Sequence, residues 1–427
     1  MELVMAVAML LVPLKPADVK LNGLTVMIVP AKQSVTVDPL PVEHRRADGE
    51  LKAGEPGWRG PLLLPGSAWT FRALRKGTLV VTPADQPDVK LVEGEDYLID
   101  WDWGAVAVGP SGDFPAGTKV HFEYDYTSSR LDLVEQRPDG AIVVKKGEPD
   151  MGQPHLPEGT PGSTALLSVY LPPNTTSLTM DNINLMDPEA TGVPPVSGTE
   201  HIGRTMAKLA SGGPATIAFL GDSITAQQPR DFRDGRGSFV DRFTTYLRET
   251  HPGSNVVVTP RDTVVEPADG QIVVVKAGVG GDDTPRGLRR MDKDVIAHRP
   301  DAVVVMFGAN DENGRHGRNN VPPPQYKKNL EQIVDRAQAA GAEVVLMTPS
   351  MKNLGWISTV GNMHEYAAVV REVARDKGTC LVDNFQAWED VGKVGYNYMI
   401  YLGTCINHPV DLGHEVFFQG LTAAFED

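Results

Sequence analysis

Two rhythms of apolar and polar positions divide this chain. Residues 78–109, "TLVVTPADQPDVKLVEGEDYLIDWDWGAVAVG", and 118–147, "TKVHFEYDYTSSRLDLVEQRPDGAIVVKKG", alternate apolar with polar residues and are broken at short intervals by Gly, Pro and Asp. That pattern predicts short antiparallel strands in a sandwich or barrel, with polar side chains on the solvent face. No helix is expected between residues 20 and 180. Residues 183–199, "INLMDPEATGVPPVSGT", have no period and read as a linker.

Beyond the linker the rhythm changes. Strands are expected at "ATIAFL", "QIVVVKAG", "AVVVMFG", "EVVLMTPS" and "GTCLVDNF". Helices fall between them: "HIGRTMAKLA", "SFVDRFTTYLRET" capped by Ser238, "TPRGLRRMDKDVIAHRP" with Thr284 as cap and Pro285 at its first position, about 324–340 and 361–377, and one after Asp411. Continuous Val-rich strands alternating with helices indicate an α/β unit, a parallel sheet covered on both faces. The expected division is a β-rich N-terminal domain (1–182), a linker (183–199) and an α/β domain (200–427).

In such a sheet the ligand site lies beyond the carboxyl ends of the strands. "ATIAFL" delivers Ser223 there. "QIVVVK" delivers Gly278, Gly280 and Gly281, and "AVVVMF" delivers Gly308, Asn310 and Asp311. "TCINHPVDLGH" supplies His408 and His414. A serine at a strand-to-helix turn attacks a carbonyl once a histidine takes its proton. The resulting oxyanion needs preorganised donors, for which the backbone N–H groups of Ser223 and Gly281 and the Asn310 side chain are candidates.

In their order these residues resemble the GDSL, or SGNH, hydrolase family. "GDSIT" matches its block I with Ser223 as nucleophile, "AGVGGDDT" block II with Gly281 in the oxyanion position, "GAND" block III with Asn310, and "NHPVDLGH" block V with His408 as base. The resemblance covers about residues 200–427. It implies a flavodoxin-like three-layer α/β/α fold and ester hydrolysis without metal or organic cofactor. A β-rich domain ahead of such a unit resembles the arrangement of bacterial carbohydrate esterases, which implies a small-molecule or polysaccharide ester as substrate, acetyl esters above all.

Two departures stand out. Lys276 occupies the leading Asn of block II, and Cys405 stands where the family often has Asp, three residues before the base. A literal D-x-x-H occurs instead at Asp411–His414. Asp383, at the end of "TCLVD", is the candidate acid, with capping of the following helix as its alternative. Asp411 is a weaker rival, and a Ser-His dyad oriented by a backbone carbonyl is the third option.

Composition narrows the function classes. The formal net charge of −15 (40 basic, 55 acidic residues) argues against a general nucleic-acid binder. The two cysteines, Cys380 and Cys405, make either one bridge or two thiols. The uncharged run Leu3–Leu14 is too short to span a bilayer. It resembles a signal-peptide core without a basic leader or A-x-A site, which points to a secreted or periplasmic protein. Thr225 breaks G-x-S-x-G, and neither a Walker A sequence nor H-E-x-x-H occurs. Trp356 is a candidate for the cleft wall or the core, and Arg315, His316 and Arg318 for a substrate-facing or solvated loop. Asn174 lies in an N-T-T sequon. A short-chain lipase, arylesterase or thioesterase, and a glycan- or surface-binding protein with a degenerate hydrolase domain, are the competing functions.

Overall fold

The computed structural model describes residues 13–57, 63, 71–315, 317–402 and 406–426. His316 and Cys405 lie outside the described residues, as do residues 3–12 of the N-terminal run. The chain forms two compact units. One comprises the described residues up to Thr191 together with Val391–Ile400, the other Gly192–Asp390 and the chain from Tyr401 onward.

The first unit is built from antiparallel strands, and no α-helix lies between residues 20 and 180 among the described residues. Val19–Asn22, Thr25–Ile28 and Gln33–Thr36 form a meander. Arg130–Gln136 lies between Ile142–Lys145 and Thr164–Leu171, and the latter pairs on its other edge with Ile183–Leu185. Lys119–Tyr126 pairs with Glu43–Glu50 and Val80–Pro83. Tyr97–Asp100 and Ala105–Val108 make a hairpin. The apolar positions of the alternating pattern collect in two cores, one around Val26, Val134 and Leu167, the other around Val81, Val106 and Tyr124.

One strand departs from the expected alternation. All seven residues of Arg130–Gln136 are buried, including Arg130 and Asp132. The charges survive there because they are paired. Arg130 donates from Nε and Nη2 to the two Asp132 oxygens at 2.7 and 2.8 Å, and Nη2 also reaches the Asp38 carbonyl at 2.7 Å. The segment Val391–Ile400 joins this unit through its backbone. Lys393 O accepts from Asp187 N at 2.9 Å and Gly395 O from the Ser168 hydroxyl at 2.6 Å.

The second unit contains a seven-stranded sheet. Its order is Val196–Ser197, Cys380–Val382, Glu343–Met347, Ala302–Met306, Ala215–Gly221, Gln271–Gly278, Asn255–Pro260. All pairs are parallel except that of Val196–Ser197 with Cys380–Val382. Ala215–Gly221 is an interior strand buried at every position, which is why it reads as a continuous apolar run. Each fully buried Val or Leu contributes about 1.5–3 kcal/mol relative to exposure. The helices Phe239–Thr250, Thr284–Asp294, Pro323–Ala339, Met363–Lys377 and Asp411–Phe425 belong to the same unit.

Three local expectations change. The edge strand Asn255–Pro260 has Val258 exposed, so its burial is too uneven to stand out as a core strand. Asp283, not Thr284, caps its helix, accepting from Arg286 N, while Thr284 turns its hydroxyl to Asp311. Within the stretch read as a linker, Ile183–Leu185 and Val196–Ser197 are strands. Ser238 caps as expected, accepting from Asp241 N.

Candidate active site

The turn that carries Ser223 begins where the strand Ala215–Gly221 ends. Gly221 closes the strand and Asp222 caps the four-residue helix Ser223–Ala226, its carboxylate accepting from Ile224 N at 2.9 Å. This turn packs tightly on the neighbouring strand end. A Cβ at Gly278 would lie 2.6 Å from Ala226 N and 2.8 Å from the Thr225 carbonyl carbon, so only glycine fits. Gly281 follows with φ +77°, left-handed backbone that side chains disfavour. One guanidinium ties these pieces together. Arg290 donates to Gly221 O at 2.9 Å, to Ala277 O at 2.7 Å and to Asp282 Oδ2 at 2.6 Å.

The two histidines part company. His408 Nε2 lies 2.8 Å from Ser223 Oγ. The ring is half-buried. Burial holds its pKa below the ordinary 6.5, while the Asp231 carboxylate pulls it back up. His414 is fully buried. Its Nδ1 accepts from Phe239 N at 2.9 Å, so the proton sits on Nε2 and is donated to Gln227 Oε1 at 2.8 Å. Burial and the Arg242 charge hold His414 well below the imidazole range, and it is neutral. Gln227 then donates to Pro409 O at 3.2 Å, linking the chain just after the helix Ser223–Ala226 to the residue after His408.

On the oxyanion side, Asn310 stands on the short helix Ala309–Glu312. Its Nδ2 donates to Asp282 O at 2.9 Å and retains a second N–H. The N–H groups of Ser223 and Gly281 are in no hydrogen bond with another described residue. Burial raises two nearby carboxyls, Asp222 to about 7 and Asp311 to about 6. Asp311 is held through one oxygen by Thr284.

Asp383 is not brought to His408. Arg371 Nε and Nη2 bind its two oxygens at 2.7 and 3.0 Å, Thr348 Oγ1 donates to it at 3.1 Å, and it caps the helix Asn384–Glu389. The acid role expected for it gives way to an ion pair and a cap. Asp411 accepts from the backbone N–H groups of Arg233 and Asp234, and burial raises its pKa. Lys276, in place of the family asparagine, reaches Asp241 at 2.8 Å on the helix behind the strand. Cys380 is a free, buried thiol whose pKa burial pushes up to about 12. Trp356 is buried, with Lys352 Nζ 5.4 Å from its ring centre, and Arg318 is exposed. Among the described residues no cluster of His, Cys, Asp and Glu is placed to hold a metal ion.

Comparison with known proteins bears on this constellation. Residues 219–416 match the model of the GDSL-like Lipase/Acylhydrolase family. The likeness to this family runs through most of the C-terminal region. Over 216 residues it is 29% identical to an acetylxylan esterase of Geobacillus stearothermophilus, spanning 49% of this chain and 92% of that one. An arylesterase of Vibrio mimicus is 33% identical over 76 residues, 18% of this chain and 36% of the relative. The crystal structure of a lipase/acylhydrolase from Enterococcus faecalis is 24% identical, covering 49% of this chain and 94% of its own, with a TM-score of 0.37. The GDSL-like match begins at residue 219, so the part of the first unit up to Thr191 lies outside it, while that unit's Val391–Ile400 segment falls within the matched range.

Sequence reasoning missed several residues of this GDSL-like region around the candidate site: Gln227, Arg290, the buried pair Glu312 and Lys352, and the half-buried Asn313. A charged Lys352 in the short stretch after an apolar strand is the one signal that pointed to the last group.

Proposed function

We propose that the chain is a serine esterase that removes short acyl groups, acetyl first among them, from carbohydrate. The observation that carries the reading is the 2.8 Å contact between Ser223 Oγ and His408 Nε2 at the carboxyl edge of the sheet. His408 takes the hydroxyl proton as Ser223 attacks the ester carbonyl. The N–H groups of Ser223 and Gly281 and the Asn310 amide receive the oxyanion. Collapse expels the alcohol, which takes the proton back from the imidazolium, and water releases the acid by the reverse path. Kept neutral by burial, His408 is ready to act as base near neutral pH. Likeness to an acetylxylan esterase supports the acetyl-carbohydrate substrate. A polymeric substrate and the apolar Leu3–Leu14 run support export from the cytoplasm. Among the described residues no helix is long and apolar enough to cross a membrane.

An apolar ester is the second reading. Leu354 and Ile357 are 68% and 86% exposed. Their segment reaches the His408 loop through the bond from Asn353 N to Ile406 O at 2.8 Å. Acid release across acetylated xylan, acetylated pectin, p-nitrophenyl acetate and p-nitrophenyl octanoate separates the two. A kcat/KM that favours acetylated xylan sustains the first. Preference for the octanoate moves the function to a lipase-like esterase, and no turnover of any ester ends both.

A further inference from the structure

A buried ion pair lies beside Asn310. Lys352 and Glu312 have side chains 1% and 0% exposed and bind each other directly. Lys352 Nζ also donates to Ala309 O at 3.0 Å and to Asn313 Oδ1 at 2.5 Å. Asn313 Nδ2 donates in turn to Asn310 Oδ1 at 3.3 Å. Glu312 holds the far side, accepting from Val360 N at 2.9 Å, Gly361 N at 2.6 Å and the Thr359 hydroxyl at 2.9 Å.

The direction of this chain is fixed by chemistry. An ammonium group has three donors and no acceptor, so it turns the Asn313 oxygen toward itself. The Asn313 NH2 must then face Asn310, and the amide it meets must present oxygen. That leaves the Asn310 NH2 on the opposite side, where the Asp282 carbonyl accepts one of its protons. Were Asn310 reversed, two carbonyl oxygens would meet at Asp282 and two NH2 groups at Asn313.

We propose that Asn313, oriented by Lys352, is a positioning residue that sets the amide of Asn310 so that it offers N–H and not C=O to the reacting ester. The proposal rests on the reading of Asn310 as an oxyanion donor. It adds a cause for that donor's polarity: a buried cation acting through one intervening amide.

The test is a double-mutant cycle on the full chain, with p-nitrophenyl acetate as substrate and melting temperatures measured throughout. Removing Lys352 would leave the buried Glu312 carboxylate without its counter-ion and cost stability as well as orientation, so Asn313 is the position to change. Asn313→Asp keeps the size and the bond to Lys352 but has no N–H for Asn310, and Asn313→Ala removes both arms without adding charge. Loss of an oxyanion donor costs about 10²–10³ in rate, and a misoriented one about tenfold or more. Both variants should therefore lower kcat by about tenfold or more with KM little changed. In an Asn310→Ala background neither should lower it further, an outcome that a structural role for Asn313 would not produce. Wild-type kcat in both Asn313 variants, or losses that multiply with that of Asn310→Ala, overturns the proposal while the donor reading stands. An unchanged kcat in Asn310→Ala alone removes the donor reading and the proposal with it.

Discussion

Each unit carries a buried ion pair, and the two are wired differently. Arg130–Asp132 lies on one strand of the β-rich unit, both side chains fully buried. Its spare donors and acceptors end on backbone: the carbonyls of Asp38 and Pro39, and Gly147 N–H, which reaches Asp132 at 2.9 Å. Lys352–Glu312 is buried as completely, but its third donor passes through Asn313 to Asn310. A planar guanidinium fork suits the first arrangement, because it locks onto a carboxylate and adjoining carbonyls at once. Burial of charge alone therefore does not mark a functional site. What distinguishes the second pair is where its remaining hydrogen bonds lead.

The sharpest break between the units is in activity. Ser223→Ala and His408→Ala should each lower kcat by about 10⁴ or more, with melting temperature held. A phosphonate ester should label Ser223 and no other serine. His414→Phe removes a ring that is neutral and bound to Gln227 and Phe239 N, so its loss should fall on stability first. Full esterase activity in Ser223→Ala would take the chemistry out of the second unit altogether. Asn310→Ala comes next, at about 10²–10³ in kcat. A large drop in melting temperature with unchanged kcat would make Asn310 a scaffold residue, no different in kind from Arg130.

How much of this was readable beforehand differs between the units for the same physical reason. In the α/β unit, strands buried on both faces are continuous Val runs, and the candidates Ser223, Gly281 and Asn310 follow their ends, so the sequence could nominate them, whereas His408 lies on the loop before the helix Asp411–Phe425. The choice of His408 over His414 rested on the His-Pro resemblance. The structure adds the reason His414 is occupied: Phe239 N–H fixes its tautomer. Asp383 misled because the end of a strand is also the start of a helix, and a cap and a catalytic acid look alike in sequence. In the β-rich unit, Arg130 and Asp132 fall on the polar beat of an alternating strand, and alternation alone cannot tell solvent from a partner across the pleat. Contacts such as Gln227–His414 or Lys352–Asn313 join residues far apart in the chain, and no local pattern carries them.

The ion pairs themselves can be compared by breaking one partner in each. Asp132→Asn leaves Arg130 buried and half paired, and Glu312→Gln does the same to Lys352. Loss of a buried partner costs about 3–5 kcal/mol. Both variants should melt earlier in calorimetry. Asp132→Asn should keep the wild-type kcat at temperatures where it is folded, whereas Glu312→Gln should lose kcat as well. Equal losses of activity in the two variants would erase the distinction drawn between them.

The smallest effect concerns pH, and it isolates the electrostatics of the second unit. With His408 as the proposed base, active only when neutral, kcat/KM should fall as pH drops through its pKa, which burial places below the ordinary 6.5. The Asp231 carboxylate opposes that shift by stabilising the imidazolium. Asp231 accepts from Gln228 N at 2.8 Å and is exposed to solvent. Asp231→Asn keeps this acceptor and removes the charge, so the acid limb should move to still lower pH and the variant should outperform wild type there. The plateau rate near pH 8, where His408 is neutral in both proteins, should not change. Raising ionic strength should move the wild-type limb the same way, because an exposed charge is screened over about 10 Å at 0.1 M salt. The variant's limb should respond less. A limb that moves up in Asp231→Asn would mean that the charge acts on a different group, since loss of a nearby carboxylate can only lower the pKa of an imidazolium that it stabilises.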